Sequence, residues 1–212
     1  MKEVTIKLYE FEELSEEIKA PLIAKQCKEL GDDYCDWMLE DDMQEYASEI
    51  LERKFDEGEF KLNNVYYDLS YSQGSGAMVE FEGWDIHILE TILYGNNLTR
   101  EWIDKNIANF NLKVTHSGHY YHEYSFEFEE DLEYQEDAQT LEELGIEREE
   151  YIYAINEFIV DINKELYTKG KESVEWYWNE DNTRDEAIDR LSQYHYLEDG
   201  EVYLGEFEEE QK

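Results

Sequence analysis

The chain has 212 residues, 41% of them hydrophobic, enough for one substantial core or two small ones. Its 56 Asp and Glu against 18 Lys and Arg leave a net charge of -38, which disfavours DNA, RNA or an anionic membrane as a direct ligand, since these need Lys and Arg against phosphate. An aromatic content of 15%, with 18 Tyr, 9 Phe and 5 Trp, argues against a disordered acidic chain.

So large a charge opposes compaction by self-repulsion. It fits a high-salt or solubility adaptation and, better, a surface that attracts a basic partner. Cys27 and Cys35 make no disulfide framework or paired CxxC motif, and fit buried thiols in a reducing compartment. With no apolar run of about 18 residues and no signal-peptide core at the N-terminus, a cytoplasmic protein is expected.

Taken in order, Val4, Ile6 and Leu8 alternate with Thr5, Lys7 and Tyr9 and suit a short first strand. Ser15 is placed to cap a helix carrying Ile18, Leu22 and Ile23, with Pro21 implying a kink or a late start and Gly31 ending it. Asp36 to Phe55 carries Met43, Ala47, Ile50 and Leu51 at helical spacing, with Glu40, Asp41, Asp42, Glu45, Glu49 and Glu52 on its other faces. Those acids make an ordinary solvated helix face or, in the sharper reading, part of a binding surface. Alternation of Val65, Tyr67, Leu69 and Tyr71, resumed by Ala77, Val79 and Phe81, predicts a hairpin across Gly74-Ser75-Gly76. Neither a P-loop nor a GxGxxG pattern surrounds those glycines.

An aliphatic segment from Gly83-Trp84 to Leu93 breaks at Gly95-Asn96-Asn97, and Thr99 caps a helix expected to hold Trp102, Ile103, Ile107 and Phe110. Leu112, Val114 and His116 then form a strand that turns at Ser117-Gly118. Its mate is expected to run from Tyr120, with His122, Tyr124, Phe126 and Phe128 on one face and Glu123, Glu127 and Glu129 on the other. The acids continue through Glu130, Asp131, Glu133, Glu136, Asp137, Glu142, Glu143, Glu147, Glu149 and Glu150, offset only by Arg148. Tyr151, Ile155, Phe158 and Ile162 give a core-facing helical stripe, reaching Leu166 before Lys169-Gly170-Lys171. Thr183 and Glu186 make a capping box for a last helix, and Val202 and Leu204 a last short strand.

These elements alternate without a βαβ rhythm, and no linker rich in Pro, Gly or Ser divides them. The expected architecture is a single α+β domain over residues 1–205, with antiparallel strand pairs packed against helices, residues 1–60 as an alternative subdomain, and a frayed acidic tail over 206–212.

Catalytic chemistry finds little purchase. His116, His119 and His122 with Glu123 form the one candidate metal cluster, but His119 and His122 have opposite parity on a strand and match no familiar zinc spacing. Ser72 and Ser75 lack a GxSxG elbow, and nothing marks one acid of a carboxylate pair for a raised pKa. No enzyme activity and no cofactor are expected.

Tyr67-Asp68-Leu69-Ser70-Tyr71-Ser72-Gln73-Gly74-Ser75-Gly76-Ala77 resembles a pattern found in a family of small acidic bacteriophage proteins. In that pattern serine or tyrosine precedes Gln-Gly, followed by an acidic or small residue and Gly-Ala; Ser75 stands where those proteins often carry aspartate. Similar phrases are Glu13-Leu14-Ser15-Glu16-Glu17-Ile18-Lys19, His116-Ser117-Gly118-His119-Tyr120-Tyr121-His122-Glu123, and Asp185-Glu186-Ala187-Ile188 with Tyr196-Leu197-Glu198-Asp199-Gly200. The family implies no catalytic residues. It does imply a phage setting, in which strongly acidic proteins often resemble DNA mimics that fill the nucleic-acid groove of a host restriction or CRISPR-type defence protein.

The resulting expectation is an inhibitor in the host cytoplasm that binds a basic, nucleic-acid-binding defence protein through its carboxylates. The partner-binding residues expected are Glu40, Asp41, Asp42, Glu45 and Glu49 on one helix and Glu129, Glu130, Asp131, Glu133, Glu136 and Asp137 in the long acidic run, with the Glu198 to Glu210 end as a further region. Nearby Tyr and Trp would anchor the contact, and a homodimer would extend the acidic surface. Two alternatives stand beside it: an interaction or assembly protein for a basic partner that binds no nucleic acid, and a metal-dependent enzyme.

Overall fold

The computed structural model describes residues 6–55, 58–70, 75–94, 98–118 and 120–204. Val4, the turn at Ser72-Gln73-Gly74, the break at Gly95-Asn96-Asn97, His119 and the acidic tail over 206–212 lie outside the described residues. In chain order come β1 (Tyr9–Glu10), α1 (Glu16–Asp33), a π-helical segment (Tyr34–Met38), α2 (Leu39–Lys54), β2 (Glu59–Asp68) and β3 (Gly76–Trp84). There follow α3 (Ile88–Ile92), α4 (Arg100–Asn106), β4 (Ile107–His116), β5 (Phe126–Tyr134), α5 (Arg148–Trp178), α6 (Glu180–Leu191) and β6 (His195–Tyr196). The fold is α+β, with antiparallel sheets and helices. Two compact units are present: one joins the two ends of the chain, up to Leu39 and from Ser173 onward, and the other is Glu40–Glu172.

In the unit made from the chain ends, β1 and β6 pair antiparallel, Tyr9 opposite Tyr196. Phe11, Leu14, Ile23, Cys27 and Leu30 bury against Ala187, Leu191 and Tyr196. Among the described residues the first strand is Tyr9–Glu10 alone, and the chain then enters a 3-10 turn at Phe11–Glu13 that points Phe11 inward. Gly31 does not end α1: it lies against the Trp178 indole, 3.3 Å from where a Cβ would stand, and the helix runs on into the π-helical segment. Pro21 sits within α1, which starts at Glu16. Thr183 caps nothing; it is buried inside α6, whose cap is Asn179, accepting from the Asp181 amide. The last strand expected at Val202 and Leu204 is reduced to a bridge between Val202 and Tyr196.

The other unit is built on a four-stranded antiparallel sheet in the order β2-β3-β4-β5. The predicted β2–β3 hairpin forms with Val65 opposite Val79 and Tyr67 opposite Ala77. Thr99 caps α4 through the Trp102 amide, as its position predicts. That helix stops at Asn106, however, and Ile107 and Phe110 belong to β4, where both are buried. One face of the sheet carries Phe81, Phe110, Leu112 and Val114, all fully buried. Phe55, just beyond α2, meets Phe81 and Phe158 of α5 edge-on and lies over that face.

Two corrections follow from close packing in this unit. The strand expected from Tyr120 begins only at Phe126, because Tyr121, His122 and Glu123 cross directly over Gly76. A Cβ there would lie 2.6 Å from the Tyr121 carbonyl oxygen. Asn163 of α5, fully buried, holds this crossing by accepting from the Val79 amide at 2.9 Å and donating to the Glu123 carbonyl at 3.0 Å. Finally, α5 continues through Gly170 to Trp178. That glycine admits Met43 and Leu69 where a side chain would collide, so it serves packing and not termination.

Candidate interaction surface

Strand parity divides β5 into two unlike faces. Glu127, Glu129, Asp131 and Glu133 are exposed, while Phe126, Phe128, Glu130, Leu132 and Tyr134 are half-buried on the side that α5 covers. On the open side the sheet carries a row of alternating charge, since Lys61 pairs in register with Glu82, Glu82 with Lys113, and Lys113 with Glu129. Lys113 Nζ lies 3.5 Å from the Glu129 carboxylate. The neighbouring row reads Glu59, Trp84, Asn111 and Asp131. Carboxylates outnumber cations on this face and crowd towards the β5 edge.

Of the acids expected to bind a partner, Glu129, Asp131 and Glu133 share this open face, and Glu136 and Asp137 follow in the exposed turn after it. Asp137 adopts a left-handed conformation, φ 59°, which a short polar side chain tolerates in a turn. Glu130 points the other way. Its carboxylate is paired with Arg148 and accepts from the Tyr151 hydroxyl at 3.2 Å. Burial first, and then the Glu130 charge, push that hydroxyl well above the ordinary tyrosine range. Glu40, Asp41 and Glu45 are exposed on α2 and Asp42 half-buried, whereas Glu49 is engaged by Lys169 at 2.8 Å. α2 packs against α5, with Met43 at Gly170 and Glu49 on Lys169, whereas the β5 acids stand on the side of the sheet away from α5. Glu198, Asp199 and Glu201 of the third acidic region belong to the unit made from the chain ends.

Beside the β5 edge lies a cleft of about 400 Å³, lined by Glu130, Leu132, Tyr134, Leu141, Ile146 and Arg148 among others. The Tyr134 hydroxyl accepts from the Leu141 amide at 3.2 Å, and Asn106 holds the following turn through the Gln139 amide at 2.8 Å. These bonds fix the segment after β5 as one wall of the cleft. Its Arg148 guanidinium also lies 5.5 Å from the Tyr151 ring centroid.

His116 and His122 are engaged locally. His116 stacks on Tyr66 with centroids 4.3 Å apart and meets the Tyr120 carbonyl at 3.2 Å, while His122 sits 3.1 Å from Glu123. Among the described residues no three His, Cys, Asp or Glu side chains converge to hold a metal ion. Also among them, no helix is long and apolar enough to cross a membrane.

Sequence reasoning missed Lys61, Glu82 and Lys113 as members of the open face, and the Glu130, Arg148 and Tyr151 group. The first needs a cross-strand register that local pattern does not contain. A signal for the second was present: alternation that turns Phe126 and Phe128 inward carries Glu130 with them, and Arg148 is the lone cation in the acidic run. The chain matches no protein-family model, no curated protein and no solved structure.

Proposed function

We propose that the protein binds a basic, nucleic-acid-binding protein through the open face of its four-stranded sheet and blocks that partner's nucleic-acid groove. The observation that carries this reading is the row of four exposed carboxylates on the edge strand β5, extended by Glu136 and Asp137. Alternate residues on a strand stand about 6.8 Å apart, whereas one DNA strand presents a phosphate about every 3.4 Å of axis. The β5 row therefore has about half the linear charge density of a DNA strand. It supplies attraction and steering without copying the duplex. The resemblance of the Ser-Gln-Gly stretch to phage proteins supports a host defence protein of restriction or CRISPR type as the partner and the host cytoplasm as the setting. In this reading the protein is an inhibitor without catalysis or cofactor.

A second reading, an interaction protein for a basic partner that binds no nucleic acid, is favoured by the Lys61, Glu82, Lys113 and Glu129 row, whose alternating sign suits a protein surface better than a phosphate-binding one. Tagged protein used for capture from host lysate, with duplex DNA added in graded amounts, separates the two. The first reading expects a nucleic-acid-binding protein that DNA displaces. The combined variant Glu129→Gln, Asp131→Asn, Glu133→Gln is expected to bind it about tenfold more weakly at low salt. A partner retained in saturating DNA favours the second reading, and unchanged capture by the variant removes this face from either.

A further inference from the structure

We propose that the partner is received as an added strand: an extended segment, basic and apolar by turns, pairs with the free edge of β5. This rests on the reading that the open face binds a basic protein, and it specifies how.

β5 closes the sheet at one end, and among the described residues no strand lies on its other side. Among the described residues, no backbone segment other than β4 hydrogen-bonds to Phe126–Tyr134. Such an edge presents alternate amide and carbonyl groups that an incoming strand can satisfy. Charge alone explains part of its design, because acidic edges resist aggregation. Protection does not require the second feature, the half-buried row of Phe126, Phe128 and Leu132, which stays incompletely covered where a further strand would complete the layer. The cleft lined by Leu132, Leu141 and Ile146 opens beside the same edge and would take an apolar side chain from that strand.

Spacing and sign then define the occupant. Side chains on one face of an added strand repeat at about 6.8 Å, the same interval as Glu127, Glu129, Asp131 and Glu133. Lys or Arg at every second position would therefore stand opposite each carboxylate in turn, and a duplex has no such match. On the other face Glu130 is already held by Arg148, and the half-buried Phe126, Phe128 and Leu132 call for apolar side chains on that face of the incoming strand. A second copy of this chain is unsuitable, since antiparallel pairing of two β5 strands would set two rows of carboxylates side by side at about 4.8 Å.

The test uses the full chain and three synthetic peptides of about nine residues. The first alternates lysine and valine; the second has the same composition in two blocks; the third is the first with alternate backbone amides N-methylated on one edge, which removes strand donors and keeps the charge. Affinity is read by calorimetry, and amide hydrogen exchange reports protection along β5. The alternating peptide is expected to bind about tenfold or more tightly than the other two and to slow exchange at Phe126–Tyr134. Equal binding of all three, weakened together by the Glu129→Gln, Asp131→Asn, Glu133→Gln variant, overturns strand addition while leaving the charge reading intact. Binding by none overturns both. Self-association through β5, seen as protection of the same amides without peptide, also overturns the proposal.

Discussion

At the scale of single residues, Tyr151 shows how this protein spends a polar group inside its core. The ring is buried and the hydroxyl donates to a carboxylate that Arg148 also holds. Ionising it would place a second negative charge beside Glu130 in a site poor in water, hence the raised pKa. The sign of the stability effect follows. Above about pH 10 the unfolded tyrosine has lost its proton while the native one keeps it, so stability is full below that pH and falls as pH rises. Tyr151→Phe is expected to cost about 1 kcal/mol at neutral pH and to flatten part of the alkaline loss. Urea midpoints measured from pH 7 to pH 11 check both; parallel curves for the two proteins would remove Tyr151 from the alkaline effect.

Among elements, the loop from Tyr120 to Ser125 is the instructive case. Its sequence alternates as a strand, yet the backbone of Tyr121 and His122 crosses over Gly76 and Asn163 ties it down. Gly76→Ala would set a Cβ 2.6 Å from a carbonyl oxygen that cannot rotate away, so a loss of about 2 kcal/mol in urea unfolding is expected. A neutral result would mean that the crossing is not tightly held. Where structure arises locally, the sequence showed it: the β2–β3 alternation, the Thr99 cap and the stripe of Tyr151, Ile155, Phe158 and Ile162 all hold. Where a distant segment decides, it did not. Gly31 and Gly170 read as helix ends because a glycine admitting a neighbour's side chain looks, in sequence, like a glycine ending a helix. Ile107 and Phe110 stand three apart, a helical spacing and not a strand one; the register shift between Ile107 and Asn109 is what lets β4 bury both. Of the candidate surface, the common face of Glu129, Asp131 and Glu133 was legible from parity; the opposite role of Glu130 was contained in the same parity and is set by Arg148 and Tyr151.

For the whole molecule the governing quantity is a net charge of -38. Exposed ion pairs such as Lys25 with Glu29 or Arg184 with Glu180 offset little of it, each contributing about 0 to 1 kcal/mol. Self-repulsion at this charge is long-ranged at low salt and screened within about 10 Å at 0.1 M. Raising NaCl from about 0.01 M to about 0.5 M is therefore expected to raise the thermal midpoint by several degrees, at about 2–4 °C for each kcal/mol. Melting followed by circular dichroism across that range measures it, and a midpoint independent of salt would show that the charges are too well dispersed to oppose folding. That the two ends of the chain fold together has no signature in any local stretch.

The inward carboxylate of Glu130 has a consequence for how the β4–β5 hairpin avoids error as it forms. A shift of one position along β4 would expose Phe126 and Phe128 and bury acids, so the apolar pattern forbids it. A shift of two preserves every inside and outside assignment and escapes that control. It would, however, bring Phe128 or Leu132 to the place where Arg148 and Tyr151 await a carboxylate, leaving a guanidinium and a buried hydroxyl without their acceptor. Glu130 thus distinguishes the native alignment from the two-residue slips, in either direction, that the inside and outside pattern alone leaves open.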